Sequence, residues 1–227
     1  MHAVILAAGY GKRLRPYTDH TPKPALLIAG KPLIERTFLA LPDTVEQVTI
    51  VFGYLGSQIH DMVGGSFHGR TVSYVESPPD VGTAASLALA KVSLPGRFLV
   101  LNGDDLYVKK DLEQLVEYER SLLVHDEPRD TGEPMTSAIV SSDGRFQGLA
   151  GVPSMTGLRI AGAYVLTQSF FKIPMVGIRV HDRTEYSIPH TLASVAQNFA
   201  YQVVRASWWH QIGTPEQYDA SQHLRFT

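Results

Sequence analysis

Apolar, β-branched stretches alternate with helical patterns along this chain, and the first of them runs unbroken into a loop of small residues and cations. Ala3–Leu6 reads as a buried strand, and Ala7-Ala8-Gly9-Tyr10-Gly11-Lys12-Arg13 as the loop it feeds. Further strands are predicted over Val48–Phe52, Thr71–Val75, Phe98–Leu101, Thr136–Val140, Ile160–Leu166 and Tyr201–Val204. Helices are predicted over Pro32–Leu41, Gly56–Val63, Thr83–Lys91, Asp111–Glu119 and Glu185–Gln197, with a short one led by Pro215 after Thr214. A β-loop-α-β-α order predicts an α/β fold with a mostly parallel, twisted sheet and helices on both faces. Ligands of such sheets sit beyond the C-terminal ends of the strands. That rule directs attention to Ala7–Pro24, Glu76–Thr83 and Asn102–Tyr107.

Composition narrows the function classes. The chain has 227 residues, 44% of them apolar, enough for one sizeable core. It has no cysteine, which excludes disulfides and thiolate metal sites. With a formal charge of -2 and no clustered Lys and Arg, it carries no nucleic-acid footprint. No stretch approaches the roughly 18 apolar residues of a membrane span, and Ala3–Ala8 is too short for a signal-peptide core. A soluble, cytoplasmic protein is expected, and the sequence is compatible with a homo-oligomer. The polar stretch His125–Pro134, with two prolines and a glycine, reads as an exposed loop rather than a linker.

The first loop carries the most chemistry. Small residues at 7, 8, 9 and 11 let a ligand approach the backbone, and glycines can turn amides inward as an anion nest. Lys12, Arg13 and Arg15 bring cations to the same place. The dinucleotide fingerprint fails because Leu14 stands where its third glycine would be, and Walker A fails for want of Gly-Lys-Ser/Thr. Prolines at 22 and 24 stiffen the segment around Lys23 and present it at a fixed place. A turn with surface cations is the structural alternative, but strand, small residues, cations and a proline-braced lysine together favour a phosphate loop.

Two further clusters lie at predicted strand ends. Glu76-Ser-Pro-Pro-Asp-Val-Gly-Thr-Ala closes a strand and opens a helix, where Gly82 and Thr83 offer a helix N-terminus and Thr83 reads first as its cap. Phe98–Leu101 ends in Asn102-Gly103-Asp104-Asp105. Adjacent carboxylates at a sheet's edge suit Mg²⁺, which takes one or two carboxylates plus substrate phosphate oxygens. An Asp turn capping the next helix is the alternative. Beside the phosphate loop, Asp104 is the expected ligand and Asp105 its neighbour.

Ala-Ala-Gly-x-Gly-x-Arg-Leu-x-Pro, then Thr-Pro-Lys-Pro and Gly-Lys-Pro-Leu-Ile-Glu, resembles the sugar-1-phosphate nucleotidyltransferases, densely over Val4–Glu35. Further likenesses follow at Gly82-Thr83-Ala84, Gly103-Asp104, Ala161–Tyr164 and Thr184–Ser187, and a strong one to the family's closing Asp-x-Gly-Thr-Pro-Glu motif at Trp208–Glu216. The resemblance implies a three-layer α/β/α sandwich of the GT-A-like type with a Rossmann-like sheet, one domain over residues 1–227. Its NTP-binding half would cover about 1–110 and its sugar-phosphate half about 111–227. It implies that Leu6, Ala7, Ala8, Gly9, Gly11, Lys12 and Arg13, with Glu76, Gly82 and Thr83, hold the nucleotide. Lys23, Asn102, Gly162 and Glu185 would hold the sugar phosphate, and Arg13, Lys23 and Asp104 would be catalytic. Mg²⁺ is the implied cofactor, on Asp104 and more weakly on Gln211, and an NTP and a sugar 1-phosphate are the implied partners.

Two departures stand out. The family's Glu-Lys-Pro lysine is missing, the region reading Gln147-Gly-Leu-Ala-Gly-Val-Pro153, and a second metal-binding Asp is replaced by Gln211. A cytidylyltransferase for a phospho-alcohol such as phosphocholine, or a nucleotide-sugar-binding sensor, are the alternatives. Ending at Thr227, the chain leaves no room for a β-helix or acyltransferase domain, so a single activity is expected.

Overall fold

The computed structural model describes residues 1–126, 136–151, 157–180 and 182–226. Its centre is one eight-stranded sheet. The strands are β1 (His2–Ala7), β2 (Gln47–Phe52), β3 (Ser66–Phe67), β4 (Arg70–Glu76), β5 (Arg97–Asn102), β6 (Ser121–Asp126), β7 (Leu158–Thr167) and β8 (Gln202–Arg205). They run in the spatial order β8-β6-β7-β5-β1-β2-β4-β3. The pairs β1–β2, β1–β5, β2–β4 and β6–β8 are parallel, while β7 runs antiparallel to both its neighbours and β3 to β4. The chain leaves β1 to one side first and returns to its other side with β5, so β1 and β5 flank the switch point where such sheets bind ligands.

The three layers follow from side-chain alternation along the strands. Ala3, Ile5 and Ala7 of β1 pack with Ile34 and Phe38 of α1 (Leu33–Ala40), Ile59 and Val63 of α2 (Gly56–Val63), and Leu112 and Leu115 of α4 (Lys109–Leu115). Val4, from the opposite face, packs with Ala84 and Leu87 of α3 (Thr83–Leu89) and Ile188 and Leu192 of α5 (Ile188–Ala193). A third cluster of Leu14, Leu26, Ile28, Leu33, Leu106 and Ile212 fastens the first loop to the chain's last segment, next to α6 (Pro215–Ser221). No helix among the described residues is long and apolar enough to cross a membrane.

Most predicted strands appear within two residues of their expected bounds, and three elements differ. The stretch predicted over Thr136–Val140 forms a strand only at Ala138–Val140, which pairs with Phe146–Leu149 outside the main sheet. β6 has no counterpart in the sequence reading. Its apolar run is only Leu122–Val124, too short to show a period, yet the fold buries it between β7 and β8. The helix predicted from Glu185 starts at Ile188 instead, and Glu185 lies in a hairpin of Gly177–Val180 with Arg183–Tyr186. Pro189 sits in the first turn of α5, and the Ser187 side chain, not Thr184, accepts the capping bond from His190 N. Most of the loop predicted over His125–Pro134, and the end of Gln147–Pro153, lie outside the described residues.

Candidate active site

The proline-braced lysine and the carboxylate after β5 meet. Lys23, between two prolines, is 8% exposed, and its Nζ lies 2.6 Å from Asp104 Oδ2. A cation this buried needs a charged partner, because desolvation otherwise outweighs what the ion gains. Asp104 is held in turn, its carbonyl accepting Ile212 N at 3.1 Å. Asp105 beside it is buried, and its Oδ1 has no hydrogen-bond partner among the described residues. Burial, with the Asp104 carboxylate as neighbour, pushes the Asp105 carboxyl well above the usual carboxylate range against the opposing pull of Lys23. The Tyr107 hydroxyl, with one proton to donate, lies within hydrogen-bond distance of three acceptors, Gly162 O at 3.2 Å, Asn102 O at 3.3 Å and Asp105 Oδ2 at 3.4 Å. Burial and the Asp105 charge raise this phenol well above its ordinary value.

Next to this charge centre opens a cleft of ≈ 310 Å³. Arg13, Gly82, Thr83, Asn102, Gly162, Glu185 and Gln211 line it, so the fold gathers seven of the residues singled out in the sequence, from segments up to 198 positions apart. Asp105, Arg159, Tyr186 and Trp209 line it as well. Gly162 has φ +66°, and a Cβ there would fall 2.2 Å from Asn102 Nδ2 and 2.7 Å from Asp105 Oδ2. The missing side chain lets both polar groups reach the strand.

The remaining residues of the sequence reading stand around the cleft without lining it. Leu6 and Ala7 close β1 and Ala8 follows it, Gly9 is exposed with open space beside it, and Gly11 takes φ +66° ahead of a short 3₁₀ turn over Lys12–Leu14. Glu76 ends β4 and is exposed. Lys12 Nζ is 2.8 Å from Asp80 Oδ2, and Asp80 also meets Arg183 Nη1 at 3.2 Å. Arg183 Nη2 lies 2.7 Å from Glu185 Oε1. This chain of ion pairs joins the first loop to the hairpin carrying Glu185. The Arg13 guanidinium runs beside Gly213, whose N–H donates to Gln217 Oε1 at 2.7 Å in the capping box that starts α6.

Thr83 and Gly82 also serve the packing of the fold. Thr83 is the first residue of α3 rather than its cap, and its Oγ1 accepts Ile188 N at 3.0 Å, docking α5 onto α3. Gly82 has φ +89°, and a Cβ there would lie 2.3 Å from Tyr186 N and 2.4 Å from Tyr186 O. The hairpin backbone therefore requires a glycine at this position. Gly82→Ala should destabilise the protein by about 2 kcal/mol, or roughly 4–8 °C in melting temperature, since neither the strained φ nor the facing backbone can give. An unchanged thermal melt would refute this packing.

Gln211, expected to face a metal, turns its amide oxygen to a hydrogen bond from Arg159 Nη2. Arg159 escaped the sequence reading, although an arginine inside the apolar run Leu158–Leu166 was the signal to look for. Its guanidinium lies over the Trp209 ring, 5.0 Å from the centroid. Among the described residues no group of three or more His, Cys, Asp or Glu is placed to hold a metal by protein ligands alone.

A family model described as nucleotidyl transferase matches residues 2–124, more than half of the chain. The chain belongs to the nucleotidyl transferase family. Within it, the bifunctional protein GlmU of Methanococcus maripaludis is 29% identical over 220 residues, covering 95% of this chain and 52% of that protein. The chain thus spans about half the length of such bifunctional relatives. A UTP–glucose-1-phosphate uridylyltransferase, AglF of Haloferax volcanii, is 26% identical over 237 residues, covering 99% of this chain and 97% of the relative. A UDP-glucose pyrophosphorylase solved with UDP-glucose superposes with a TM-score of 0.81 at 20% identity, covering 97% of this chain and 96% of that one. At that identity the likeness establishes the fold, which is the layered α/β arrangement described above. The loop after β1 and the acidic end of β5 both lie within the matched residues.

Proposed function

We propose that this nucleotidyl transferase moves the NMP unit of an NTP onto a sugar 1-phosphate, forming a nucleotide-sugar and releasing pyrophosphate. The contact between Lys23, in the segment that follows β1, and Asp104, just past β5, carries this reading, beside a polar cleft. The names of relatives of comparable coverage support it, among them a UTP–glucose-1-phosphate uridylyltransferase and a UDP-glucose pyrophosphorylase, while an inositol-1-phosphate CTP transferase of similar fold keeps the same reaction on another phosphate acceptor.

An oxygen of the acceptor phosphate attacks the NTP α-phosphorus, a P–O bond forms, and the bond to the β-phosphate breaks with its electrons leaving on pyrophosphate. Little covalent work falls to the protein, so its contribution is positioning and charge neutralisation. Arg13 and the amides around Gly9–Gly11 take the departing phosphates. Lys23 exchanges Asp104 for the α-phosphate when the NTP arrives, which keeps the buried ammonium paired throughout. Glu185, held by Arg183, accepts hydrogen bonds from sugar hydroxyls, and Asn102 and Thr83 complete the polar wall. Glu76 and Lys12 lie on the nucleotide side.

Asp104, partly exposed, and Asp105, with an orphaned oxygen, form the hard-oxygen donor set that suits Mg²⁺, whose shell phosphates and waters complete. When bound there, Mg²⁺ supplies Lewis-acid neutralisation of phosphate charge. A cytoplasmic location, where NTPs are made, fits this chemistry.

Pyrophosphate release from mixtures of NTP, Mg²⁺ and a panel of sugar 1-phosphates, with phosphocholine included, tests the reading. Release with a sugar 1-phosphate is expected. Release with phosphocholine alone would reassign the acceptor, and binding of a nucleotide-sugar without any release would make the protein a sensor.

A further inference from the structure

We infer that Arg159 is the anchor for the acceptor's phosphate and the residue that makes this cleft select a phosphate monoester; the inference rests on the transferase reading above. Two arginines, Arg13 and Arg159, are the cationic side chains lining the cleft among the described residues. Both lie against one short segment. Arg159 Nη2 donates to the Gln211 side chain, and the Arg13 guanidinium runs beside Gly213. Two residues of extended chain separate these points, about 7 Å. The residue between them, Ile212, donates its N–H to Asp104 O, and Gln211 is the ladder partner of Asp105. The two guanidiniums thus flank the carboxylate centre, one for each of the two phosphate-bearing reactants that have to meet there.

The surroundings of Arg159 orient it as a ligand group. It projects from β7, where Arg159 pairs with His125 of β6, so its backbone is fixed by the main sheet. The Trp209 face below and the Gln211 amide beside it hold the planar fork in one direction. Trp209 is 6% exposed, lines the cleft, and has an indole N–H without a hydrogen-bond partner among the described residues. A planar, oriented guanidinium binds a phosphate through parallel charge-assisted hydrogen bonds, which a lysine would not reproduce. On this assignment the Gln211 oxygen holds Arg159 rather than a metal ion, and no lysine is needed in the stretch after Gln147.

The chain has two tryptophans, so a Trp208→Phe background leaves Trp209 as the reporter. Its emission should respond to inorganic phosphate and to glucose 1-phosphate but not to glucose, and Arg159→Gln should abolish the response. With the acceptor that gives the fastest pyrophosphate release, Arg159→Gln should raise the acceptor KM roughly 10- to 100-fold, as expected for lost charge-assisted bonds, and leave the NTP KM unchanged. Arg159→Lys should recover part of that loss. A folded Arg159→Gln protein with wild-type acceptor KM and an undiminished phosphate response overturns the assignment, as does a rise in the NTP KM alone. If no sugar 1-phosphate releases pyrophosphate, the transferase reading falls, and the phosphate titration of Trp209 still decides the role of Arg159.

Discussion

Asp104→Asn should lower turnover at least about 1000-fold while the protein stays folded, the largest effect of any single change at this site. The substitution keeps the size and hydrogen-bonding shape of the side chain and removes only its charge. That charge has two duties on the proposed mechanism, pairing Lys23 in the free protein and holding Mg²⁺ in the complex. Losing a charge that stabilises the transition state costs roughly 3–4 kcal/mol, and weakened binding of the Lewis acid adds to it. The fold should survive because Asp104 lies at the end of β5 rather than in the core, with its side chain 35% exposed. The measurement is pyrophosphate release across a Mg²⁺ titration, with thermal melting as the control for folding. Turnover close to wild type at any Mg²⁺ concentration would place the reaction centre elsewhere.

Arg13→Ala should cut turnover about 100-fold, corresponding to roughly 3 kcal/mol of lost charge stabilisation on the leaving pyrophosphate. Arg13 is exposed and lines the cleft, so its removal should leave the melting temperature nearly unchanged. Arg13→Lys should restore only part of the rate, because an ammonium lacks the fork that grips two oxygens at once. Lys23→Ala is a less clean probe, since it strips Asp104 of its partner and leaves a hole in a buried segment. If Arg13→Ala runs at the wild-type rate with saturating substrates, the loop does not hold the leaving group.

Local patterns in the sequence were enough for whatever depends on nearest neighbours in the chain. β1 and the loop after it, the strands β2, β4, β5 and β7, the helix over Gly56–Val63 and the acidic end of β5 are each set by side-chain period, by glycine, or by proline acting on the adjacent residue. Arg13, Lys23 and Asp104 were legible as candidates because each sits in such a local pattern. The start of α5 was misread because Glu185 can serve a helix N-terminus or a strand equally well, and only the partner strand Gly177–Val180 decides between them. β6 was missed because its burial comes from neighbours supplied by β7 and β8, not from its own pattern.

The site itself was decided by tertiary structure. Lys23 reaches Asp104 across 81 positions, Lys12 reaches Asp80 across 68, and Arg159 reaches Gln211 across 52. The first of these follows from the order of strands in the sheet, because the parallel pairing of β1 with β5 places the segments after them side by side whatever lies between them in the chain. The same long-range packing sets the Tyr186 backbone against Gly82 and the Arg159 guanidinium against the Gln211 amide oxygen. A side chain's chemistry is written in its residue type, but the group it faces depends on which segments the fold brings together, and no period or spacing within one segment carries that information.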